Sequence, residues 1–250
     1  PMFFQEVIGQ IEIKGHLQEM VQNNRISHAL LFLGKEGSGG LPLAIAFAQY
    51  IVCQQVKTNP GATDSCGICP PCVKARQLMH PDIHFSFPVI PKKPGDKPVS
   101  TDYISEWREF TGKYPYGNVY DWLQFIGAEN KQGNITAQEC NDIMRRLTLK
   151  SFESEFKVLI LWMPEYLGNE GNKLLKLIEE PPPDTLFIFV AENEALILPT
   201  ILSRTQLVKV PLLKKQDIES ALELREGIPA KKAAQIATIR SLGRARVGWS

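Results

Sequence analysis

Apolar residues in this chain form two kinds of pattern, and each kind predicts a different element. Continuous apolar runs are typical of strands that are buried on both faces of a sheet. Such runs occupy residues 29–33, 85–90, 157–161, 185–190 and 207–210. Helical spacing predicts helices over 7–23, 44–51, 135–149 and 169–180, and residues from 214 onward show only this spacing. Strands that alternate with helices predict an α/β fold with a mostly parallel sheet, followed by a small α-helical subdomain.

Local signals mark the ends of two of these helices. The helix over 135–149 is expected to begin with a capping box, in which the side chains of Thr136 and Glu139 each accept a bond from the other's backbone N–H. Three prolines at 181–183 are expected to end the helix over 169–180, because proline interrupts helical hydrogen bonding.

The stretch 91–133 departs from this alternation. It opens with a segment rich in proline and lysine and continues as a long connection, which is usually functional or loosely ordered. Its aromatic residues could stack on nucleic-acid bases. The interpretation we favour is that they pack the connection against the protein surface. The aromatic residues of this stretch include Trp107, Tyr114, Tyr116, Tyr120 and Trp122.

Composition and charge narrow the class of protein. Of the 250 residues, 44% are hydrophobic and 22% are charged, as in globular proteins. The net charge of +1 gives no basic field for autonomous nucleic-acid binding. No apolar run approaches the ~20 residues that span a bilayer, and residues 1–6 lack the pattern of a secretory signal. We therefore expect a cytoplasmic protein with reduced thiols and no membrane partner.

Four of the five cysteines lie close together in the sequence, whereas Cys140 is far away in a predicted helix. Two C-x-x-C steps share a central cysteine, and a fourth cysteine precedes them. This spacing fits tetrahedral Zn²⁺, and four thiolates would leave no open position for catalysis. Disulfides and an iron–sulfur cluster are the alternatives. His80 and His84 are reserve ligands, although a turn at residues 80–82 is the simpler interpretation. The expected zinc ligands are Cys53, Cys66, Cys69 and Cys72.

A glycine-rich turn follows the first predicted strand and has the outline of a phosphate-binding P-loop. Gly34 and Gly39 occupy the two glycine positions of the G-x-x-x-x-G-K-[ST] motif. Gly40 stands where the motif has its lysine, and Leu41 stands where it has a hydroxyl. Neither residue can supply a cation or a magnesium ligand. An ordinary strand-to-helix turn and a nucleotide site that has lost its chemistry both explain this segment.

Several segments together resemble the AAA+ clamp-loader family of bacterial DNA polymerase III, and most closely its delta-prime members. The matching segments are residues 3–10, 27–32, the cysteine quartet, 80–82, 172–182 and 198–206. The resemblance implies an AAA+ core over 1–210, with a zinc module at about 53–84 and an extra insertion at about 91–133. It also implies a helical lid over 211–250 that looks incomplete, and the absence of a collar domain.

The resemblance also implies what this chain does not do. Active members of the family carry an Asp-Glu pair after the third predicted strand, where one carboxylate binds Mg²⁺ and the other orients the attacking water. Here Trp162 and Met163 stand at those positions, and Glu165 comes two residues too late. We therefore expect a non-catalytic subunit of the DNA polymerase III holoenzyme rather than an enzyme. The alternative is a stand-alone or active clamp-loader ATPase with an atypical P-loop that uses Lys35.

Two arginines match positions at which the family contacts nucleotide. Arg204 lies in a Ser-Arg motif that would present it to the ATP of a neighbouring subunit, although a helix-capping or surface ion-pair role is the simpler interpretation. Arg244 matches a lid arginine that would join Gly34, Gly37 and Gly39 at the degenerate nucleotide site. Nucleotide binding without hydrolysis and no binding at all both fit these residues. The implied partners are the ATPase and delta subunits and, through the complex, the sliding clamp and primed DNA.

Overall fold

The computed structural model describes residues 3–241 of the chain, except for the side chains of residues 240 and 241. Its centre is a five-stranded sheet in which every neighbouring pair of strands is parallel, in the order β2-β3-β4-β1-β5. This confirms the predicted α/β class and the parallel sheet. The strands are β1 (Ala29–Leu33), β2 (Ile83–Ser86), β3 (Lys157–Trp162), β4 (Thr185–Ala191) and β5 (Gln206–Lys209).

Helices cover both faces of the sheet, which explains why its strands are apolar without alternation. Alternate strand residues enter two separate cores. Leu30 and Ile160 pack with the helix over 40–52 on one face, whereas Leu31 and Leu159 pack with the helix over 137–148 on the other. The longer helices are α1 (Ile11–Gln22), α2 (Gly40–Val52), α5 (Ile104–Lys113), α7 (Ala137–Thr148), α10 (Lys215–Glu226) and α11 (Ala230–Ser241). The shorter ones are α3 (Gln54–Thr58), α4 (Pro70–Arg76), α6 (Val119–Phe125), α8 (Leu175–Glu179) and α9 (Pro199–Leu202).

Several predicted boundaries are wrong by a few residues. The first helix begins at Ile11 rather than at residue 7, because Gln10 adopts a left-handed conformation (φ +57°) and Phe4–Glu6 forms a separate 3₁₀ turn. The second strand ends at Ser86, and Val89 forms only an isolated antiparallel bridge to Asn134. The proline at position 88 has no N–H to continue the ladder.

The predicted helix over 169–180 is mostly a 3₁₀ helix. Gly168–Leu174 is 3₁₀, and only α8 is α-helical. A Cβ on Gly171 would lie 3.0 Å from Cδ1 of Ile201, so glycine permits the close packing of this segment on α9. Helical spacing in the sequence does not distinguish the tighter helix from an α-helix over so short a segment.

The insertion at 91–133 is more ordered than the sequence suggests. It contains a 3₁₀ turn (Ser100–Tyr103) followed by α5 and α6, and it adds to the core on the α2 face of the sheet. Trp107 and Trp122 are fully buried, and the indole Nε1–H of Trp122 donates to the carbonyl oxygen of Pro88 at 2.8 Å. The packing interpretation is therefore confirmed for these two residues.

After β5 the described chain is helical. Helices α10 and α11 pack on one another through a small apolar cluster that also includes Ile8 from the N-terminal segment. The division into a core over 1–210 and a lid over 211–250 remains a prediction. None of the helices within residues 3–241 combines the length and the apolar character that crossing a bilayer requires.

Candidate functional site

The glycine-rich turn lies at the carboxyl end of β1, between β4 and β5, which is where ligands bind in open α/β sheets. The N–H of Gly34 donates to the carbonyl oxygen of Ala191 at 3.1 Å and so fastens the start of the turn to β4. A Cβ on Gly34 would clash with the carbonyl oxygen of Val210. Only glycine therefore fits where the chain that follows β5 approaches.

Helix α2 begins directly after this turn. Gly39 is its N-terminal cap, with a left-handed backbone (φ +89°), and Gly40 is its first residue. Leu41 is buried in the core, so no hydroxyl is available where a P-loop has one. Gly37 is exposed at the tip (φ +84°), and the side chain of Ser38 is buried. The three predicted glycines therefore lie together around one pocket.

The end of β3 faces the same pocket with apolar side chains. Trp162 and Met163 are both 4% exposed, and the ring centroid of Trp162 lies 5.4 Å from that of Trp107. Met163 has a left-handed backbone (φ +64°) that ends the strand. No carboxylate occupies either position, so this edge of the pocket offers no magnesium ligand.

The carboxylate of Glu165 is already engaged by backbone. Its Oε2 accepts hydrogen bonds from the N–H groups of Glu192 (3.0 Å) and Asn193 (3.2 Å). Burial raises the pKa of Glu165. Burial, together with the charges of Glu165 and Glu36, raises the pKa of Glu192 to about 7. Glu165 therefore acts as a brace between β3 and the end of β4.

Arg204 lies just beyond α9 and is held by its own chain. Its Nε donates to Oε1 of Glu179 at 2.5 Å, its Nη2 forms an ion pair with the same carboxylate, and its Nη1 donates to the carbonyl oxygen of Thr200 at 2.7 Å. The side chain of Arg204 is 29% exposed. The structure thus contains both contacts expected if Arg204 has only a structural role: a hydrogen bond to the carbonyl oxygen of Thr200 at the end of α9, and a surface ion pair with Glu179. Arg244 lies outside the described residues.

The four clustered cysteines converge on one point. Their Sγ atoms all lie within 4.8 Å of one another, and Sγ of Cys66 is 4.0 Å from Sγ of Cys72. Four sulfurs around a tetrahedral ion at ~2.3 Å would lie about 3.8 Å apart. The spacing therefore suits a metal ion. Cys53 ends α2 and Cys69 caps α4, so the site fastens one helix to the other.

Burial makes this cluster unfavourable for thiolates unless a cation is present. It raises the pKa of Cys53 and of Cys72. Burial also opposes ionisation of Cys66, but hydrogen bonds from the backbone N–H groups of Cys69 and Ile68, together with those from the thiols of Cys69 and Cys53, lower its pKa to about 7. The N–H of Cys69 donates to Sγ of Cys66 at 3.3 Å. A metal ion would compensate the mutual repulsion of the thiolates, so the donor set fits a bound metal.

The two reserve histidines take other roles. Nδ1 of His80 accepts a hydrogen bond from the N–H of Asp82 at 3.0 Å, as expected for a turn at 80–82. Burial lowers the pKa of His80, and it lowers that of His84 on β2 to about 4. Within the described part of the chain, the clustered potential metal ligands are the four cysteines and do not include either histidine.

Two residues at the pocket have no signal in the sequence. Tyr116 reaches the glycine-rich turn from the insertion, and Glu192 lines the pocket from the end of β4. Tyr116 is one of eight aromatic residues of the insertion, and nothing in its local pattern distinguishes it from Tyr114 or Tyr120. Its position depends on how the insertion docks.

Residues 9–214 match the protein family described as "DNA polymerase III, delta subunit". Among curated proteins, the chain is 28% identical over 248 residues to DNA polymerase III subunit gamma/tau of Mycobacterium tuberculosis, covering 97% of this chain and 35% of that protein. It is 26% identical over 207 residues to DNA polymerase III subunit delta' of Bacillus subtilis, covering 82% and 49%. The chain thus spans about a third to a half of the length of these relatives.

A solved structure shares the fold at low sequence identity. A variant of RuvB from Thermotoga maritima superposes with a TM-score of 0.50 and 15% identity, covering 95% of this chain and 58% of that one. At this identity the likeness concerns the fold alone.

Proposed function

This chain belongs to the DNA polymerase III delta-subunit family as a delta-prime-type clamp-loader subunit, and from that premise we propose that it is a non-catalytic subunit. It would support loading of the sliding clamp during DNA replication in the cytoplasm. Its partners would be the ATPase subunits and the delta subunit, and through them the clamp and primed DNA. The core would extend over 1–210 and the lid over 211–250.

The observation that carries this proposal is the chemistry of the pocket at the end of β1. The relatives include both delta' and gamma/tau subunits, so the family alone does not decide whether this chain hydrolyses ATP. The residues at four demanding positions are Gly40, Leu41, Trp162 and Met163. None of their side chains can place a positive charge on a phosphate, bind Mg²⁺ or orient a water molecule. Phosphoryl transfer depends on cationic, metal-binding and water-orienting groups.

The alternative is an ATPase that uses Lys35 in an atypical P-loop. Lys35 has the right charge and is exposed at the turn. However, the side chain of Ser38 is buried, and the carboxylate of Glu165 accepts two backbone N–H groups. A magnesium ion would therefore lack the hydroxyl after the glycine-rich turn and a free carboxylate at the end of β3, which favours the non-catalytic assignment.

We further propose that Arg204 acts on the ATP of a neighbouring subunit. The support is its motif, its family position and its partly exposed side chain at the end of α9. In the assembled complex the guanidinium would leave the carboxylate of Glu179 and bind the phosphate instead. Both groups are anionic, and both accept hydrogen bonds from the guanidinium N–H groups. An arginine supplied in this way raises phosphoryl transfer by ~10³–10⁵ in the best-studied cases.

The test is a reconstituted clamp loader that carries Arg204→Ala in this subunit. Assembly should be unchanged, while the ATPase stimulated by clamp and DNA should fall partially, since the other sites keep their own arginines. Arg204→Lys should rescue little because an ammonium lacks the planar fork. The matched control is Arg145→Ala, which removes an exposed arginine paired with Asp142 on α7.

Clamp loading by Arg204→Ala at the wild-type rate would show that Arg204 only stabilises its helix. Glu179→Gln separates the two roles further. It breaks the surface ion pair but leaves the guanidinium, so the stimulated ATPase should be retained. This chain alone should show no hydrolysis above the buffer background.

We also propose that the metal held by the four cysteines is structural zinc. A set of four thiolates is typical of structural zinc sites and leaves no position for water or substrate. Zinc would fix the short segment between α2 and α4, which contributes few core residues of its own. No step of the proposed function passes through this metal.

A further inference from the structure

The insertion is fastened to the glycine-rich turn by two neighbouring residues. The amide Nδ2 of Asn118 donates to Oε1 of Glu36 in the turn at 2.7 Å. Asn118 is also the N-terminal cap of α6, where its Oδ1 accepts from the N–H of Asp121 at 2.7 Å. The segment that precedes α6 is therefore held against the turn, and Tyr116 lies in that segment.

The ring of Tyr116 lies directly against the second glycine of the turn. A Cβ on Gly39 would be 2.9 Å from Cε1 of Tyr116, a distance at which something must shift. The pocket that remains has a free volume of about 30 Å³. Pockets for small ligands usually measure ~300 Å³ or more. Phosphates bind by close approach to backbone N–H groups of such a turn, and the ring occupies that approach.

The hydroxyl and the far side of the ring reach two other parts of the molecule. The hydroxyl oxygen accepts a hydrogen bond from the N–H of Ile8 at 2.8 Å. The ring packs against the apolar cluster formed by Ile8, α10 and α11. Burial raises the pKa of Tyr116 to about 12, so the hydroxyl stays neutral. One side chain thus contacts the N-terminal segment, the glycine-rich turn and the C-terminal helical pair.

We propose that Tyr116 is an internal plug that takes the place of a nucleotide: it fills the pocket above Gly39 and holds α10 and α11 against the core. The pocket is then closed in two independent ways, by the loss of chemical groups at positions 40 and 41 and by the volume of the ring. The plug concerns this chain's own pocket, so it stands whether or not Arg204 acts on a neighbour.

Hydrogen–deuterium exchange of the whole chain tests the plug. In Tyr116→Ala, exchange in α10, in α11 and at the Ile8 amide should rise about tenfold or more, while β3 and β4 keep their protection. Millimolar phenol, which matches the deleted hydroxyphenyl group, should restore protection by filling the cavity. The control is Tyr120→Ala, which removes an exposed tyrosine from the same insertion and should change neither region.

Tyr116→Phe keeps the test decisive if the alanine variant does not fold. It retains the ring, so only the Ile8 amide should exchange faster. Unchanged exchange of α10 and α11 in Tyr116→Ala, or equal loosening of β3 and β4, would show that Tyr116 is an ordinary packing residue. Protection of residues 34–41 when MgATP is added to the wild-type chain would also overturn the plug, because the ring and a nucleotide need the same volume.

Discussion

Replacing Trp107 by alanine should remove a large part of the stability of this protein. Trp107 is fully buried in α5, although it belongs to an insertion that reads as a connection. Its ring stacks on Phe87 with centroids 4.1 Å apart and planes at 13°, and it meets Trp122 edge-on at 5.2 Å. It also contacts Trp162 at the end of β3. The substitution therefore opens a cavity between the insertion and the sheet.

The expected loss follows from these contacts. Burial of a tryptophan removes ~150–250 Å² from water, which at ~25 cal/mol per Å² is at most about 4–6 kcal/mol. Large-to-small substitutions of buried aromatic residues cost ~3–5 kcal/mol. Since whole domains are stable by only ~5–15 kcal/mol, Trp107→Ala should remove about a third to a half of the total.

Trp107→Phe should cost much less, for a reason specific to this site. The indole Nε1–H of Trp107 is buried and has no hydrogen-bond partner among residues 3–241. Phenylalanine keeps most of the ring contacts and removes this unpaired donor, whose burial carries a penalty of ~1–3 kcal/mol. The two terms oppose each other, so the net loss should stay below ~2 kcal/mol.

Urea unfolding followed by circular dichroism measures both variants against the wild type. Tyr120→Ala is the matched control, because Tyr120 lies in the same insertion and is 56% exposed. A loss below ~1 kcal/mol for Trp107→Ala, no larger than that of the control, would refute the reasoning. The insertion would then not be part of the core, and its aromatic residues would be free to stack on bases.

Two further predictions concern the metal and the pH dependence of stability. The purified chain should contain one equivalent of zinc, and a strong chelator should remove the zinc and loosen the segment from α3 to α4. Cys72→Ser should abolish zinc binding, whereas Cys140→Ser should retain it. Iron in place of zinc on metal analysis would contradict this prediction. The pKa of Glu192 is raised from the ordinary 4.5 to about 7, so between these pH values the folded state binds a proton that the unfolded state has lost. The free energy of unfolding should therefore fall as pH rises from about 4.5 to about 7, by on the order of 1–2 kcal/mol after allowance for solvent screening. Glu192→Gln should flatten that slope and be the more stable protein at pH 8, and an unchanged slope in thermal melts from pH 5 to 8 would count against the assignment.

The capping box at α7 shows how far local sequence signals reach. Thr136 is the N-terminal cap as predicted, and its hydroxyl accepts from the N–H of Glu139 at 3.1 Å. The carboxylate of Glu139 does not return the bond. It is fully buried and accepts instead from the hydroxyl of Ser86 (2.6 Å), the N–H of Ser100 (2.7 Å) and the guanidinium of Arg146 (2.9 Å). The carboxylate of Glu139 therefore bonds to Ser86, Ser100 and Arg146 rather than to the backbone N–H of Thr136.

The sequence by itself determined the features that depend on short spacing. The continuous apolar runs predicted all five strands, because a strand buried on both faces must be apolar throughout. The spacing of four cysteines predicted a metal-binding cluster. The residues at positions 40, 41, 162 and 163 predict that the groups of an ATP site are missing, and the non-catalytic assignment that rests on them stays a proposal.

Only the tertiary structure decided how distant segments meet. Ile104, Trp107 and Phe110 do follow helical spacing, but the segments rich in proline and glycine on either side make the insertion read as a connection. Aromatic contacts with β2 and β3 hold α5 in place. Tyr116 and Ile8 are bonded across 108 residues, and Arg204 and Glu179 are paired across 25. The first contact lies at the carboxyl ends of the parallel strands and the second at their amino ends. Both depend on how the sheet places its connecting segments, which local sequence patterns do not show.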